Sequence, residues 1–176
     1  MIRRTMDVVE YDENWTRLFE IEKELLANAF GDNVIRIEHF GSTSVPGLAA
    51  KPIIDILVFV RDIEQVEQYN DLMQNHGYKA KGEHGMVGRR YFNKYRDDGV
   101  NKTHHVHIYE EGANPFNADV LLFRDYLRIN EDARKKYELV KKELSQKFYY
   151  QPKEYSDGKN DCVMEILAQA RKYFNN

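Results

Sequence analysis

Cysteine is nearly absent from this 176-residue chain, Cys162 being the only one. That excludes an intrachain disulfide and any zinc site built from several thiolates. Proline is sparse, at Pro46, Pro52, Pro115 and Pro152, and no Pro-, Gly- or Ser-rich linker, internal repeat or low-complexity stretch divides the sequence. A strong charge of either sign is also missing. Lys and Arg number 26 against 29 Asp and Glu, a formal net charge of −3. This argues against a specific nucleic-acid binder held by bulk charge but leaves room for a small basic pocket. Long apolar runs are missing too. The most apolar segment, 53–60, contains Asp55 and is far too short to span a bilayer. The first residues, MIRRTMDVVEYDEN, turn acidic before any apolar stretch, unlike a secretory signal. The expectations are a single domain over 1–176, no membrane association and a cytoplasmic setting.

Hydrophobic periodicity supplies the elements. Trp15, Leu18, Phe19, Leu25, Leu26 and Ala29 recur at helical spacing, with Asp12 or Asn14 to start the helix and Gly31 to end it. A strand follows at 34–40. The β-branched run at 53–60 reads as a central strand buried on both faces. Residues 63–76 carry Ile63, Val66, Tyr69 and Met73 on one helical face, and Gly77 stops them. Segments 89–95 and 104–109 alternate around the turn residues Asp97, Asp98 and Gly99, a β-hairpin pattern. From Ala118 onward the chain reads as three helices, the second capped near Asn130 and the third starting near Ser156. The fold class is α+β: a small mixed sheet, an N-terminal helix and a C-terminal helical bundle, with helices covering one side.

The chemistry concentrates in HFGSTSVPGLAAKPIIDI, residues 39–56. Gly41 permits a tight turn or a close approach to a ligand. Ser42, Thr43 and Ser44 offer hydroxyls beside backbone N–H groups, either as an anion cradle at a helix start or as ordinary loop caps. Asp55 sits among Ile53, Ile54, Ile56 and Leu57. An unpaired carboxylate there would cost several kcal/mol, so it is paired with a cation, bound to metal, or at an accessible strand end. His105 and His107 alternate onto one face. With His39 they are candidate metal ligands beside Asp55, a donor set better suited to Zn, Mn, Ni or Fe than to Mg; the bland alternative is histidines hydrogen-bonded within a sheet. Lys51, Arg89, Arg90 and Lys159 are the candidate cations. Arg89 and Arg90 point to opposite faces, so one pocket can take only one of them. Lys159 falls in the first turn of the last helix, against the helix dipole. Arg124 and Asp125 read as an ion pair holding helix to sheet. Tyr91, Tyr95 and Tyr109 are either core aromatics or a stacking surface for a base.

These motifs, together with GEHGMVGRRYF, THHVHIY, LLFRDYLR and YSDGK, resemble the GrpB family over nearly the whole chain. That family is a branch of the nucleotidyltransferase-fold superfamily, and the resemblance also implies kinship with a domain fused to dephospho-coenzyme A kinase in some bacteria. The resemblance implies a nucleotidyltransferase-like fold, with Gly41, Ser42, Thr43, Lys51 and Arg89 near the phosphates of a nucleotide. Asp55 would then be the first metal-holding carboxylate, helped by His105, His107 or His39. Arg90 and Lys159 would offset charge developing in the reaction. The implied cofactors are a nucleotide and a divalent metal (Mg, Mn or Zn). The implied partner is a small nucleotide-like substrate. Leu57 departs from the superfamily pattern, because a second acidic residue is expected there. The sequence therefore supports two readings: a metal-dependent nucleotidyl- or phosphoryl-transfer enzyme, and a module that binds a nucleotide or coenzyme A precursor without turning it over.

Overall fold

The computed structural model describes residues 3–114 and 116–175. Five strands form one sheet in the order β1-β2-β5-β4-β3: β1 Val34–Phe40, β2 Ile54–Val60, β3 Tyr78–Ala80, β4 Arg89–Tyr95 and β5 Lys102–Glu110. The β2–β5 pair is parallel and the other three pairs are antiparallel, so the sheet is mixed. Six α-helices accompany it: α1 Asn14–Phe30, α2 Asn70–Asn75, α3 Phe116–Ile129, α4 Glu131–Lys147, α5 Pro152–Asp157 and α6 Asn160–Phe174.

The period of two along β2 divides the molecule. Ile54, Ile56, Val58 and Val60 join Val106 and Ile108 on one face and pack against Trp15, Phe19, Leu26 and Phe30 of α1. Leu57 and Phe59 point the other way, with Tyr109, toward Val120 and Leu121 of α3. Helices therefore lie on both faces rather than one, which is why 54–60 is apolar on both faces apart from Asp55. Behind α3, a separate core of Tyr126, Leu127, Tyr137, Cys162 and Ile166 joins α3, α4 and α6. Arg124 does more than pair with Asp125. Its Nη1 donates to Glu38 Oε2 and to the His39 carbonyl, both at 2.9 Å, and so ties α3 to β1.

Three elements differ from the sequence expectation. Residues 63–76 form a 3-10 segment, Glu64–Tyr69, before the short α2. Ile63, Val66 and Tyr69 are spaced by three, the period of a 3-10 helix. The strand β3 has one buried residue, Tyr78, and so no alternation to read. The last helix is two pieces. Pro152 starts α5, as suits its fixed φ, and Gly158 interrupts the run. A Cβ on Gly158 would come within 2.7 Å of Leu144 Cδ2, so α4 can pass closely only here. The interruption places Lys159 at the N-cap position of α6 instead of within its first turn.

On the α1 side, a polar network closes on itself. Glu22, 7% exposed, accepts from Lys94 Nζ at 2.7 Å and from the Tyr78 hydroxyl at 2.6 Å. Burial pushes the Glu22 carboxyl up, but these donors outweigh it and leave it below the ordinary range. Glu22→Ala strands a buried ammonium and a phenol, and should cost about 3 kcal/mol in urea unfolding at pH 7. A loss under 1 kcal/mol would show that the network contributes little.

Candidate functional site

Asp55 lies on the face of β2 turned toward α3–α6, directly across from His105 in the parallel pairing with β5. His105 Nδ1 donates to Asp55 Oδ1 at 2.9 Å. His105 Nε2 is buried and has no partner. His107 sits two residues further on the same face, beside Leu57. Gly41, φ +71°, passes over the carboxylate so closely that a Cβ would collide with Asp55 Oδ2. Burial pushes the Asp55 carboxyl up; the His105 hydrogen bond and the positive surroundings outweigh this and hold it below its ordinary value. Burial, acting against the pull of Asp55, drives His107 down to about 3, so its imidazole is neutral at physiological pH.

A cleft of about 550 Å³ opens from Asp55 and His105 toward the N-terminal segment and α5. Ser42, Lys51, Lys141 and Lys159 line it, with Arg4 and Lys153. Asp55 is the one carboxylate among the described residues that line it. Lys51 and Lys159 both place their ammonium groups over the Tyr155 ring, at 4.8 Å. Burial first, then the charges of Lys159 and Arg4, pulls Lys51 down to about 8. Lys141 is 1% exposed and donates to the Ala49 carbonyl. Burial, reinforced by Lys159, lowers it to about 7. Burial and mutual repulsion thus disfavour the charged forms of these amines, and an anion beside them would favour those forms.

The expected residues divide. Ser42, Lys51, Asp55, His105 and Lys159 come together at the cleft. His39 does not join them. It pairs with Ile56 in the ladder, so it faces α1, where it stacks on Phe19 at 4.6 Å and contacts Thr43 Oγ1 at 3.0 Å. Thr43 reaches the cleft edge, but its hydroxyl is engaged with His39 and the Ile53 carbonyl. Arg90 is on the far face, paired with Glu64 at 3.1 Å and Glu67 at 3.0 Å. Arg89 faces the right way, yet it holds the 82–88 loop through the Glu83 and His84 carbonyls. Its remaining nitrogen reaches His107 Nδ1 at 3.4 Å. Both corrections follow from alternation plus the observed register, which the sequence did not supply. The tight turn Ser42–Ser44 is one short 3-10 piece, so attraction for an anion comes from side-chain cations instead of a helix terminus.

Sequence reading missed Lys141 and Arg4. Lys141 carried a signal: it follows Tyr137 by four residues and precedes Leu144 by three, which puts a lysine on the apolar stripe of α4. For Arg4, on an irregular segment, no periodicity was available.

Asp55, His105 and His107 each offer a ligand atom within 4.8 Å of the others. Two imidazoles with one carboxylate, one imidazole carrying an orphaned ring nitrogen, fit a single borderline ion such as Zn or Mn. They do not fit a pair of Mg ions, which wants several carboxylates.

A mixed sheet whose Gly-Ser turn and strand carboxylate meet under a C-terminal helical bundle defines a nucleotidyltransferase-like fold. The comparison with solved structures agrees: the Cid1 poly(U) polymerase superposes with a TM-score of 0.54 at 13% identity, over 76% of this chain and 42% of that one, a likeness of fold alone. The profile described as GrpB protein matches residues 5–169, and the chain belongs to the GrpB family. The conserved protein GrpB from Enterococcus faecalis has a TM-score of 0.90 at 38% identity, over 97% of this chain and 100% of that one. The UPF0157 protein YqkA of Bacillus subtilis is 43% identical over 171 residues, 97% of this chain, but the match spans only 49% of that relative.

Two outcomes test the site. Gly41→Ala should destabilise the fold by about 1–3 kcal/mol, from a strained φ and the collision with Asp55; urea unfolding reads it, and wild-type stability would show that the carboxylate yields freely. For Lys141, the folded pKa of about 7 lies below the unfolded 10.5. Between those values the unfolded chain holds more protons, so stability should rise with pH. Lys141→Met should flatten that rise by an amount on the order of 2 kcal/mol between pH 7 and 9. An unchanged slope would mean the lysine keeps its proton.

Proposed function

We propose that this chain is a metal-assisted nucleotidyl- or phosphoryl-transfer enzyme acting on a small phosphorylated, nucleotide-like substrate. The observation that carries the reading is the charge arrangement: one ionised carboxylate, Asp55, at the wall of a cleft otherwise lined by Arg4, Lys51, Lys141 and Lys159. A phosphate chain would lie along those cations and the Ser42 turn. An anionic ligand would favour the protonated forms of Lys51 and Lys141, so its charge would be met by groups already in place. Asp55, one quarter exposed at its side chain, would take a proton from an acceptor hydroxyl as that oxygen bonds to phosphorus and the P–O bond to the departing group breaks, pyrophosphate or the rest of the donor leaving with its charge met by the cleft's lysines. The hydrogen bond from His105 fixes the carboxylate's orientation. A divalent ion held by Asp55, His105 and His107 would add Lewis-acid polarisation of the phosphoryl oxygen. Arg89 donates to His107 Nδ1 at 3.4 Å, so the ion would bind through Nε2 or displace that hydrogen bond.

A second reading is favoured by Leu57. It is 1% exposed and stands next to Asp55 on the site face, where a second carboxylate would be needed for a two-metal centre. On that reading the cleft binds a nucleotide or coenzyme A precursor without turnover.

Thermal shift with nucleoside triphosphates and coenzyme A precursors, each with Mg, Mn or Zn, separates these. A ligand at 100 times its Kd should add about 2.7 kcal/mol of stability. Release of labelled pyrophosphate or transfer of label, lost at least 100-fold in Asp55→Asn with binding retained, supports the enzyme. Binding without turnover in the wild-type chain supports the module, and no binding at all overturns both.

A further inference from the structure

A second cavity of about 550 Å³ meets the basic cleft from the other side of Asp55. The two share Asp55, His105, Ser156 and Lys159. Their linings differ sharply. The second is built between the sheet and α3 and α6, from Leu57, Val120, Phe123, Val163 and Leu167, with Met86 closing it from the 82–88 loop. A cavity with apolar walls and a few fixed polar groups is the usual form of a site for an organic ligand.

A polar group on its wall points to such a ligand independently. Asn117 lies in the first turn of α3 and is 4% exposed, yet its Oδ1 is buried with no hydrogen-bond partner. A buried amide oxygen without a donor costs free energy in the empty protein, and a ligand N–H or O–H would recover it. The apolar lining has a second consequence. Leu57 occupies the place of a carboxylate on the site face, and its side chain forms part of this wall. The residue that weakens a two-metal centre thus extends an apolar surface up to the catalytic carboxylate.

We infer that this cavity takes the apolar, ring-containing body of the same ligand whose phosphate lies in the basic cleft, and that this body carries a hydrogen-bond donor directed at Asn117. The inference rests on the reading of the basic cleft as a phosphate site. The ligand is accordingly two-ended: an anionic phosphate held by Lys51, Lys141 and Lys159, and an apolar ring seated past Asp55 against Val120 and Leu167. The shared residues at the junction place the reacting phosphate beside Asp55 and leave the ring in the drier chamber. Discrimination among phosphorylated compounds would then come from the apolar side, because cations grip any phosphate.

Binding of three probes, followed by calorimetry on the intact chain, tests this: inorganic phosphate, 1-naphthyl phosphate and amino-substituted 1-naphthyl phosphates. The ring should improve affinity over inorganic phosphate at least tenfold, equivalent to 1.4 kcal/mol. At least one amino position should give a further gain that Asn117→Leu abolishes. Met164 is 59% exposed at the cavity on α6, so Met164→Glu should fold normally while it drives the naphthyl-to-phosphate affinity ratio toward one. Val120→Trp should do the same by filling the chamber. Equal affinity for phosphate and naphthyl phosphate would overturn the inference, as would a ring gain untouched by both substitutions. Absence of any amino gain would remove Asn117 from it. Failure of all probes to bind would instead sink the phosphate reading beneath it.

Discussion

The contact on which the site depends is the packing of the Asp55 carboxylate between Gly41 and His105. An ionised group on an interior strand is tolerated only if its surroundings meet its charge. Here one oxygen accepts from His105 Nδ1, and the other lies against a glycine with no side chain. Each partner comes from a different strand connection: Gly41 from the end of β1, His105 from β5. Fixing Asp55 therefore fixes the loop after β1 and the parallel register of β2 on β5. The Ser42 turn follows immediately from that loop, so its position is inherited from the same contact.

The two sheet faces show what separates a structural ion cluster from a site. Both hold a carboxylate near histidine, tyrosine and lysine. On the α1 face, Glu22 is balanced by Lys94 and Tyr78, and its side chain is 9% exposed. On the opposite face Asp55 is 25% exposed and outnumbered by cations. In the first set the carboxylate's charge is met by Lys94 and its other oxygen by Tyr78. The second is left with surplus positive charge, visible in the lysines that burial and mutual repulsion pull down toward neutrality. Excess charge held at a concave surface is destabilising unless a counterion meets it, and this imbalance is what distinguishes the cleft from the α1-side cluster.

Alternation and period made much of this legible in the sequence. The run around Asp55 gave an interior strand, and the spacing of His105 and His107 put both on one face. Arg89 and Arg90 were correctly divided between faces, but nothing local said which face held the site. His39 shows the same limit: its strand was evident and its direction was not, because register against β2 is a long-range property. Lys159 was placed near the last helix, although the break at Gly158 that aims it depends on Leu144 of another element. The apolar cavity was illegible, since its walls come from β2, α3, α6 and a loop, and each residue reads locally as ordinary core.

Leu57 links these observations. In a cleft built around two metal ions, carboxylates supply the negative charge and the ions supply the positive charge that phosphates require. The cleft beside Asp55 is lined instead by Lys51, Lys141 and Lys159, with Asp55 the one carboxylate among the described residues that line it. Leucine at position 57 presents an apolar side chain beside His107 and leaves Asp55 without a neighbouring acid on its strand face. The single carboxylate and the buried lysines are thus two sides of one electrostatic arrangement: a cleft whose positive charge is carried by its own amines.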